Sequence, residues 1–319
     1  MKVENIKFDS MKDFITSTLL PKGEMYEKLK GFIYRGEATN KYTLLPAVLR
    51  ESYGNITHEF QLIHNEYDNL RKFYKIANNN GIKVPKIEYM SKNYMSEFAI
   101  EHLLRMEEYK WLPDDLAELA ALAQHYGLPT RLLDWSFDVY VALYFASKGA
   151  MYNAVDAIQH KKFFDENDTM VIWALNAQII QFFHPEVPQI QLQLKTPLRF
   201  VVPSYYSNPN LNAQKGVLVY WEREVSNFPK NPEKFPWGEE VDRTPFDKLI
   251  ENYICEPIGD IAVLYKMEIP VKEGMALYEY IHKIGYGAAR LFPGYNGVVK
   301  EMEELAIINH LKEYEQRKN

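Results

Sequence analysis

A Gly-Leu-Pro break at residues 127–129 constrains this chain more than any other stretch, because it forces two helical patterns apart and fixes what lies between them. Before it, Leu116 to Gln124 consists of strong helix formers with apolar residues at three- and four-residue spacing, which predicts a helix with Asp114 as a candidate cap. Gly127 supplies the left-handed residue that ends such a helix, and Pro129 prevents its resumption. His125 and Tyr126 therefore stand at a helix end. After the break, Ser136 or Asp134 is placed to cap a second helix. Its Val139, Ala142, Leu143, Tyr144, Phe145 and Ala146 leave no polar face, so this helix is expected to be buried.

Arg131, Asp134 and Trp135 lie between the two helices, and large polar groups tied to buried structure are normally paired. Two readings stay open. In one, Arg131 and Asp134 form an ion pair that braces the turn. In the other, His125, Arg131 and Asp134 face a cleft, where helix ends and rigid turns commonly carry chemistry. Upstream, Gly31 to Gly36 reads as a brief apolar strand that delivers Arg35 to its end, with Gly36 allowing a turn or the close approach of another backbone. The planar fork of Arg35 suits a carboxylate or phosphate. An internal salt bridge, with Asp134 as one partner to consider, is the competing use of the same side chain.

The remaining periodicity describes helices around a sheet. Phe8 to Leu20 reads as a short amphipathic helix, Thr57 to Asn80 as a long one with solvated glutamates, and Phe98 to Met106 as a further helical segment. Beyond residue 168 the pattern shifts to short β-branched and aromatic runs: Thr169 to Leu175, Leu198 to Val202, Gly216 to Trp221 and Ile261 to Ile269. Polar, proline-rich loops at Val202–Asn212 and Asn227–Val241 separate them. Thr244 to Tyr253, Pro270 to Ile284 and Tyr295 to Tyr314 read as helices, the last with Val298, Met302, Leu305, Ile308 and Leu311 on its inner face. The fold class expected is α+β, with helices surrounding a modest mixed β-sheet.

Several functions are argued against on residue content. With 37 basic and 43 acidic residues the net charge is −6, which opposes an extended nucleic-acid footprint. The one cysteine, Cys255, excludes an internal disulfide framework and has no zinc-type spacing to histidine, so no metal is expected. Neither a signal-type nor a membrane-span-length apolar run occurs, which predicts a cytoplasmic protein without membrane contact. Gly285 to Arg290 imitates a dinucleotide fingerprint but lacks its third glycine and follows a helix, so it reads as a turn. Walker, HExxH and Gly-x-Ser-x-Gly motifs are absent from the sequence.

The block QHYGLPTRLLDWS followed by ALYFA, together with the upstream FIYRG, resembles the FRG domain, a bacterial and phage-associated family named for its Phe/Tyr-Arg-Gly motif. The resemblance implies a single FRG-type domain over residues 1–319, with an N-terminal helical elaboration, a C-terminal helix and a soft boundary near residues 150–168. It further implies that the GYGAARLFPGYNG segment packs back on the core. The Tyr-Arg-Gly block is also similar to the first-strand arginine of arginine-serine-glutamate ADP-ribosyltransferases. That likeness implies an ADP-ribosyltransferase-like core in which NAD is a substrate and Arg35, Glu222 and Glu224 are catalytic; His125, at the helix end beside the turn, is a further candidate catalytic residue from the cleft reading. An arginine would hold the pyrophosphate while a carboxylate steadies oxocarbenium charge. The middle Ser-Thr-Ser motif of those enzymes is missing. The alternative is a module that binds without turnover, in which Arg35, Gly36, Tyr126, Arg131, Asp134, Trp135 and Gln214 contact a nucleotide, another anionic ligand or a partner protein.

Overall fold

Burial on both faces marks the central strands of this protein: six consecutive residues of the Thr169–Asn176 strand are buried, as expected where helices or loops cover each side of a sheet. The computed structural model describes residues 2–50, 54, 56–96, 110–160, 168–182, 197–224, 239–253 and 262–318. The expected helix at Phe98–Met106, Cys255 and most of the Asn227–Val241 loop lie outside these residues. The described strands are β1 (Lys2–Lys7), β2 (Phe32–Glu37), β3 (Lys110–Trp111), β4 (Leu133–Ser136), β5 (Thr169–Asn176), β6 (Leu198–Val201), β7 (Gly216–Trp221), β8 (Arg223–Glu224) and β9 (Ala262–Pro270). The described helices begin with α1 (Met11–Phe14), α2 (Glu59–Asn79), α3 (Glu88–Lys92), α4 (Asp114–His125), α5 (Val139–Gln159) and α6 (Ala177–Phe182). They continue with α7 (Pro209–Ala213), α8 (Phe246–Asn252), α9 (Gly274–Lys283), α10 (Ala288–Leu291) and α11 (Tyr295–Lys318).

Seven strands form one mixed sheet in the order β1-β9-β5-β2-β4-β7-β6, and β3 pairs with β8 apart from it. Only β1–β9 is parallel; the other pairings within this sheet are antiparallel. The fold is therefore α+β around a mixed sheet, as the periodicity predicts. One face of the sheet carries two separate apolar cores. At the β9-β5-β2 end, Phe32, Met170, Ile172 and Met267 pack against α5, α9 and α11. At the β4-β7-β6 end, Leu218, Tyr220 and Val201 pack against α2 and α4. The opposite face buries Ile33, Trp135, Trp173 and Val219 against Leu44 and Phe246. Among the described residues, no helix is long and apolar enough to cross a membrane.

Three expectations are corrected. Residues Leu133–Ser136 are strand, so neither Ser136 nor Asp134 caps the second helix. Asp138 does, its Oδ1 accepting the Tyr140 amide at 3.0 Å. Leu133 and Trp135 alternate into a buried face, and pairing with β7 outweighs the helical signal of the following residues. Lys2–Lys7, unassigned from sequence, adds a strand beside β9. The C-terminal helix is rotated from its expected setting. Ile308 and Leu311 are buried, but Val298, Met302 and Leu305 face out, because Glu301 and the fully buried Glu304 point inward to hydrogen-bonding partners.

Gly36 illustrates how tightly α5 lies on β2. A Cβ there would stand 1.9 Å from the Ala142 carbonyl oxygen, so only glycine permits this approach. Two turns further along α5, Gly149 meets the Ala38 methyl in the same way, at 2.6 Å from its would-be Cβ. Replacing Gly36 by Ala should push the helix off the strand and cost about 1–3 kcal/mol, the range for overpacking. Chemical denaturation should show this as a lower midpoint with an unchanged slope, and a midpoint equal to that of the parent would refute the packing account.

Candidate functional site

Arg131 is held by helix α2 and makes no pair with Asp134. Its guanidinium donates to both carboxylate oxygens of Glu66, with Nε at 2.9 Å from Oε2, and through Nη1 to Glu59 Oε1 at 3.1 Å. Nη2 closes a further short bond to Glu66. The indole of Trp111 lies 5.6 Å from the guanidinium carbon and donates its Nε1 hydrogen to Glu66 at 2.9 Å. Arg131 and Glu66 are each 5% exposed, so both charges are desolvated and must be matched by such bonds. Burial opposes the Arg131 charge, but the two carboxylates outweigh it and raise the pKa of the guanidinium. The expected brace thus exists with different partners. Glu59 and Glu66 stand seven residues apart, two turns along one face of α2, and that spacing was the available signal.

Arg35 fills an opening in the sheet. Strands β2 and β4 share a single register pair, Tyr34 with Ser136, and beyond it they part. The Arg35 Nη1 takes the place of the missing ladder bond by donating to the Asp134 carbonyl oxygen at 2.9 Å, while its Nε and Nη2 bind Glu37 Oε1 at 2.8 and 2.7 Å. Internal pairing, one of the two readings, describes Arg35; its acidic partner is Glu37, and Asp134 contributes only its backbone. Trp135 is buried on the sheet face opposite α4 and α5, against Phe246, which keeps its ring away from His125.

The C-terminal end of α4 does gather the other motif residues. Gly127, at φ +96°, turns the chain there, leaving Tyr126 exposed and His125 half-buried with their rings edge to face at 5.1 Å. His125 Nε2 lies 3.3 Å from the Asn210 amide nitrogen. Burial lowers the imidazole pKa below 6.5, and the nearby Asp134 carboxylate pulls it up in part. Asp134 itself is exposed and accepts the Gln124 amide at 2.8 Å. Gln214 sits nearer the start of α5: its carbonyl accepts the Ser136 hydroxyl at 2.7 Å and its amide donates to the Leu291 carbonyl at 3.0 Å. Beside it, Asp138 accepts Lys215 and the Tyr286 hydroxyl at 2.9 and 2.8 Å, which ties the Gly285–Leu291 segment onto the core.

Glu222 is not brought to Arg35. It is clamped by Arg199 at 2.7 and 3.0 Å and faces Lys110 at 3.2 Å. Tyr34, Ser136 and Gly216 are level across the sheet, and Glu222 lies six residues past Gly216 while Arg35 is one past Tyr34. A five-residue offset on strands two apart places them about 17 Å apart along the strands and about 10 Å across. Glu224 continues into β8, its backbone paired with Lys110.

A feature not foreseen from sequence is a cavity of about 800 Å³ beside Tyr126. Phe73, Ile76 and Ala77 of α2, Leu122 of α4, and Ile82, Val84 and Pro85 supply its apolar wall. Lys83, Lys86, Glu118, Ser204 and Asn208 supply its polar groups. Neither lysine has a carboxylate partner among the described residues; Lys83 lies over the Tyr206 ring at 5.4 Å. The cavity escapes prediction because its wall joins a loop after α2 to a loop after β6, more than 110 residues apart in the chain.

In comparison with known proteins, residues 30–154 match the family model of the FRG domain. No curated protein and no solved structure matches the chain. The match spans β2 to α5 and so contains Arg35, the Arg131 cluster and the α4 end.

Two outcomes follow from this geometry. Removing one partner from the buried cluster, as in Arg131→Ala, should cost about 3–5 kcal/mol, whereas Asp134→Ala at an exposed position should stay within about 0.5 kcal/mol. Equal melting temperatures for the two variants would contradict the assignment. The His125 ring should titrate below 6.5 by NMR, and further below in Asp134→Asn, because the carboxylate that favours the charged form is gone. The folded state then binds this proton less readily than the unfolded one, so the contribution of His125 to stability is complete above about pH 6.5 and declines as the pH falls. A midpoint that rises in Asp134→Asn would reverse the sign of the account.

Proposed function

We propose that this protein, whose residues 30–154 form an FRG domain, is a small-molecule binding module that takes an anionic ligand with a flat body, of the nucleotide class, between α2 and α4. The observation that carries the reading is the 800 Å³ cavity at the end of the family motif. Its volume lies within the roughly 300–1,000 Å³ of small-ligand sites, and its wall is largely apolar with few polar groups, as such sites are. Tyr126 offers an exposed ring for stacking, and Lys83 and Lys86 outnumber the one carboxylate, Glu118.

NAD belongs among the ligands to test, since the Tyr-Arg-Gly likeness implies it. NAD cleavage has less support than binding, because Arg35 and Glu222 are each engaged by internal ion pairs and lie far apart along the sheet. Calorimetry with ATP, GTP, CTP, UTP and NAD tests the module directly. Stacking on an aromatic side chain contributes about 1–3 kcal/mol per base, so Tyr126→Ala should weaken the preferred nucleotide about ten-fold or more. Lys83→Gln and Lys86→Gln should each weaken it and flatten its salt dependence. The reading fails if no nucleotide binds, or if Tyr126→Ala binds as well as the parent. Release of nicotinamide from NAD that disappears in Arg35→Ala would favour the catalytic alternative instead.

A further inference from the structure

Helix α11 is apolar on two faces. The domain takes up the inner one, where Gly297, Ile308 and Leu311 are buried and Glu304 accepts the Tyr144 hydroxyl at 2.6 Å and meets Lys148 at 3.1 Å. That setting leaves a second stripe on the outer face. Tyr295 is 91% exposed, Val298 46%, Val299 54%, Met302 66% and Leu305 38%. Tyr295, Val298, Met302, Leu305 and the exposed Asn309 follow one another at alternating three- and four-residue steps, the repeat of a helix that packs against another helix. Single exposed apolar residues are ordinary, but a continuous stripe about four turns long marks an interaction surface.

Area and pattern together point to what covers it. Scaled by these exposures, the stripe offers roughly 300–450 Å² of apolar surface per copy. Homodimer interfaces are about 65% apolar, so this face belongs to an interface of roughly 900–1,400 Å² in total, the lower end of the specific class. The stripe is also complementary to itself. Tyr295 and Asn309 stand seven residues, about 10 Å, to either side of Met302. In an antiparallel pair centred on Met302, Tyr295 of one copy meets Asn309 of the other, hydroxyl against carboxamide, while Leu305 meets Val299 and Val298 meets Ala306. Larger side chains then face smaller ones on both sides of the central methionines. A parallel pair would instead set tyrosine on tyrosine at one end and asparagine on asparagine at the other. We propose that the outer stripe of α11 pairs with the same stripe of a second copy of this chain, antiparallel about a two-fold axis at Met302. A membrane surface fits this helix less well. Interfacial helices are rich in lysine and arginine, whereas here Glu303 and Glu313 are exposed beside the stripe and Lys312 is held by Glu279. The contact lies where α11 packs on the β9-β5-β2 end of the sheet, so it stands apart from the ligand reading of the cavity between α2 and α4.

Sedimentation equilibrium of the full chain tests the pairing. The parent should show a reversible monomer–dimer equilibrium. Met302→Lys, which sets two like charges against each other at the axis, should raise the dissociation constant at least ten-fold and keep the parent far-ultraviolet spectrum. Val298→Lys serves the same comparison if the first variant does not keep that spectrum. Cross-linking reads the register. Cys255 is the one native cysteine, so in a Cys255→Ser background Met302→Cys should form a disulfide-linked dimer several-fold faster than Lys300→Cys, whose exposed residue lies off the stripe. Val299→Cys mixed with Leu305→Cys should cross-link as the mixed dimer. A parent that stays monomeric at every concentration, a dimer that tolerates the lysine variants, or equal cross-linking at residues 302 and 300 overturns the proposal. Cross-links of Val299→Cys only to itself overturn the antiparallel register. A monomeric parent that floats with phosphatidylserine vesicles overturns it too, and gives the stripe to a membrane.

Discussion

The buried contact of Arg131 with Glu66 and Glu59 is the interaction on which the arrangement of this chain depends. It joins the turn of the motif to a helix more than sixty residues earlier, and Trp111 closes it from a third segment. Desolvating such charges costs several kcal/mol per ion, so the cluster holds only if all partners arrive together. Its consequence is geometric. Glu66 fixes the first half of α2 against the end of the motif, and the second half then runs about 15 Å further to form one wall of the cavity. A slip of α2 along α4 would break the ion cluster and the cavity in one movement.

The other motif side chains show the same pattern of internal use. Arg35 closes a gap between β2 and β4, Asp138 caps α5 while holding Lys215 and Tyr286, and Gly36 admits the helix backbone onto the sheet. Burial, with Asp138 adding to it, pushes the Tyr34 and Tyr286 hydroxyls up to about 12, so both stay protonated donors at neutral pH. A motif rich in arginine, aspartate and aromatic residues reads as chemistry in the sequence, yet most of it frames the fold. What it leaves exposed is the end of α4, with Tyr126 towards the cavity and His125 and Asp134 beside it.

Much of the fold was legible because periodicity and turn chemistry agreed. The Gly127 stop, the long α2, the runs forming β5 and β7 and the buried α5 all fall where local pattern places them. What escaped depended on partners distant in sequence. Leu133–Ser136 is too short to declare itself a strand without β7 beside it, and Lys2–Lys7 gains its place only from β9. The setting of α11 was missed because buried carboxylates at Glu301 and Glu304, satisfied by tyrosines, a histidine and a backbone amide, outweigh its apolar stripe. At the site, the Gly127 stop places His125 and Tyr126 at the end of α4 as local pattern reads them, whereas Arg131, expected in one cleft with His125 and Asp134, is turned to Glu66 and Glu59. The partners of Arg131 and the apolar cavity required the packing of α2, which no local pattern specifies.

Mapping of backbone amide shifts during a nucleotide titration examines most directly whether ligand enters between α2 and α4. The account predicts that perturbations gather at Ile82–Lys83, Leu122–Tyr126 and Ser204–Asn208, with Arg35 and Glu222 undisturbed. Perturbations centred on Arg35 and the Trp221–Arg223 strand end, with the cavity wall silent, would contradict it.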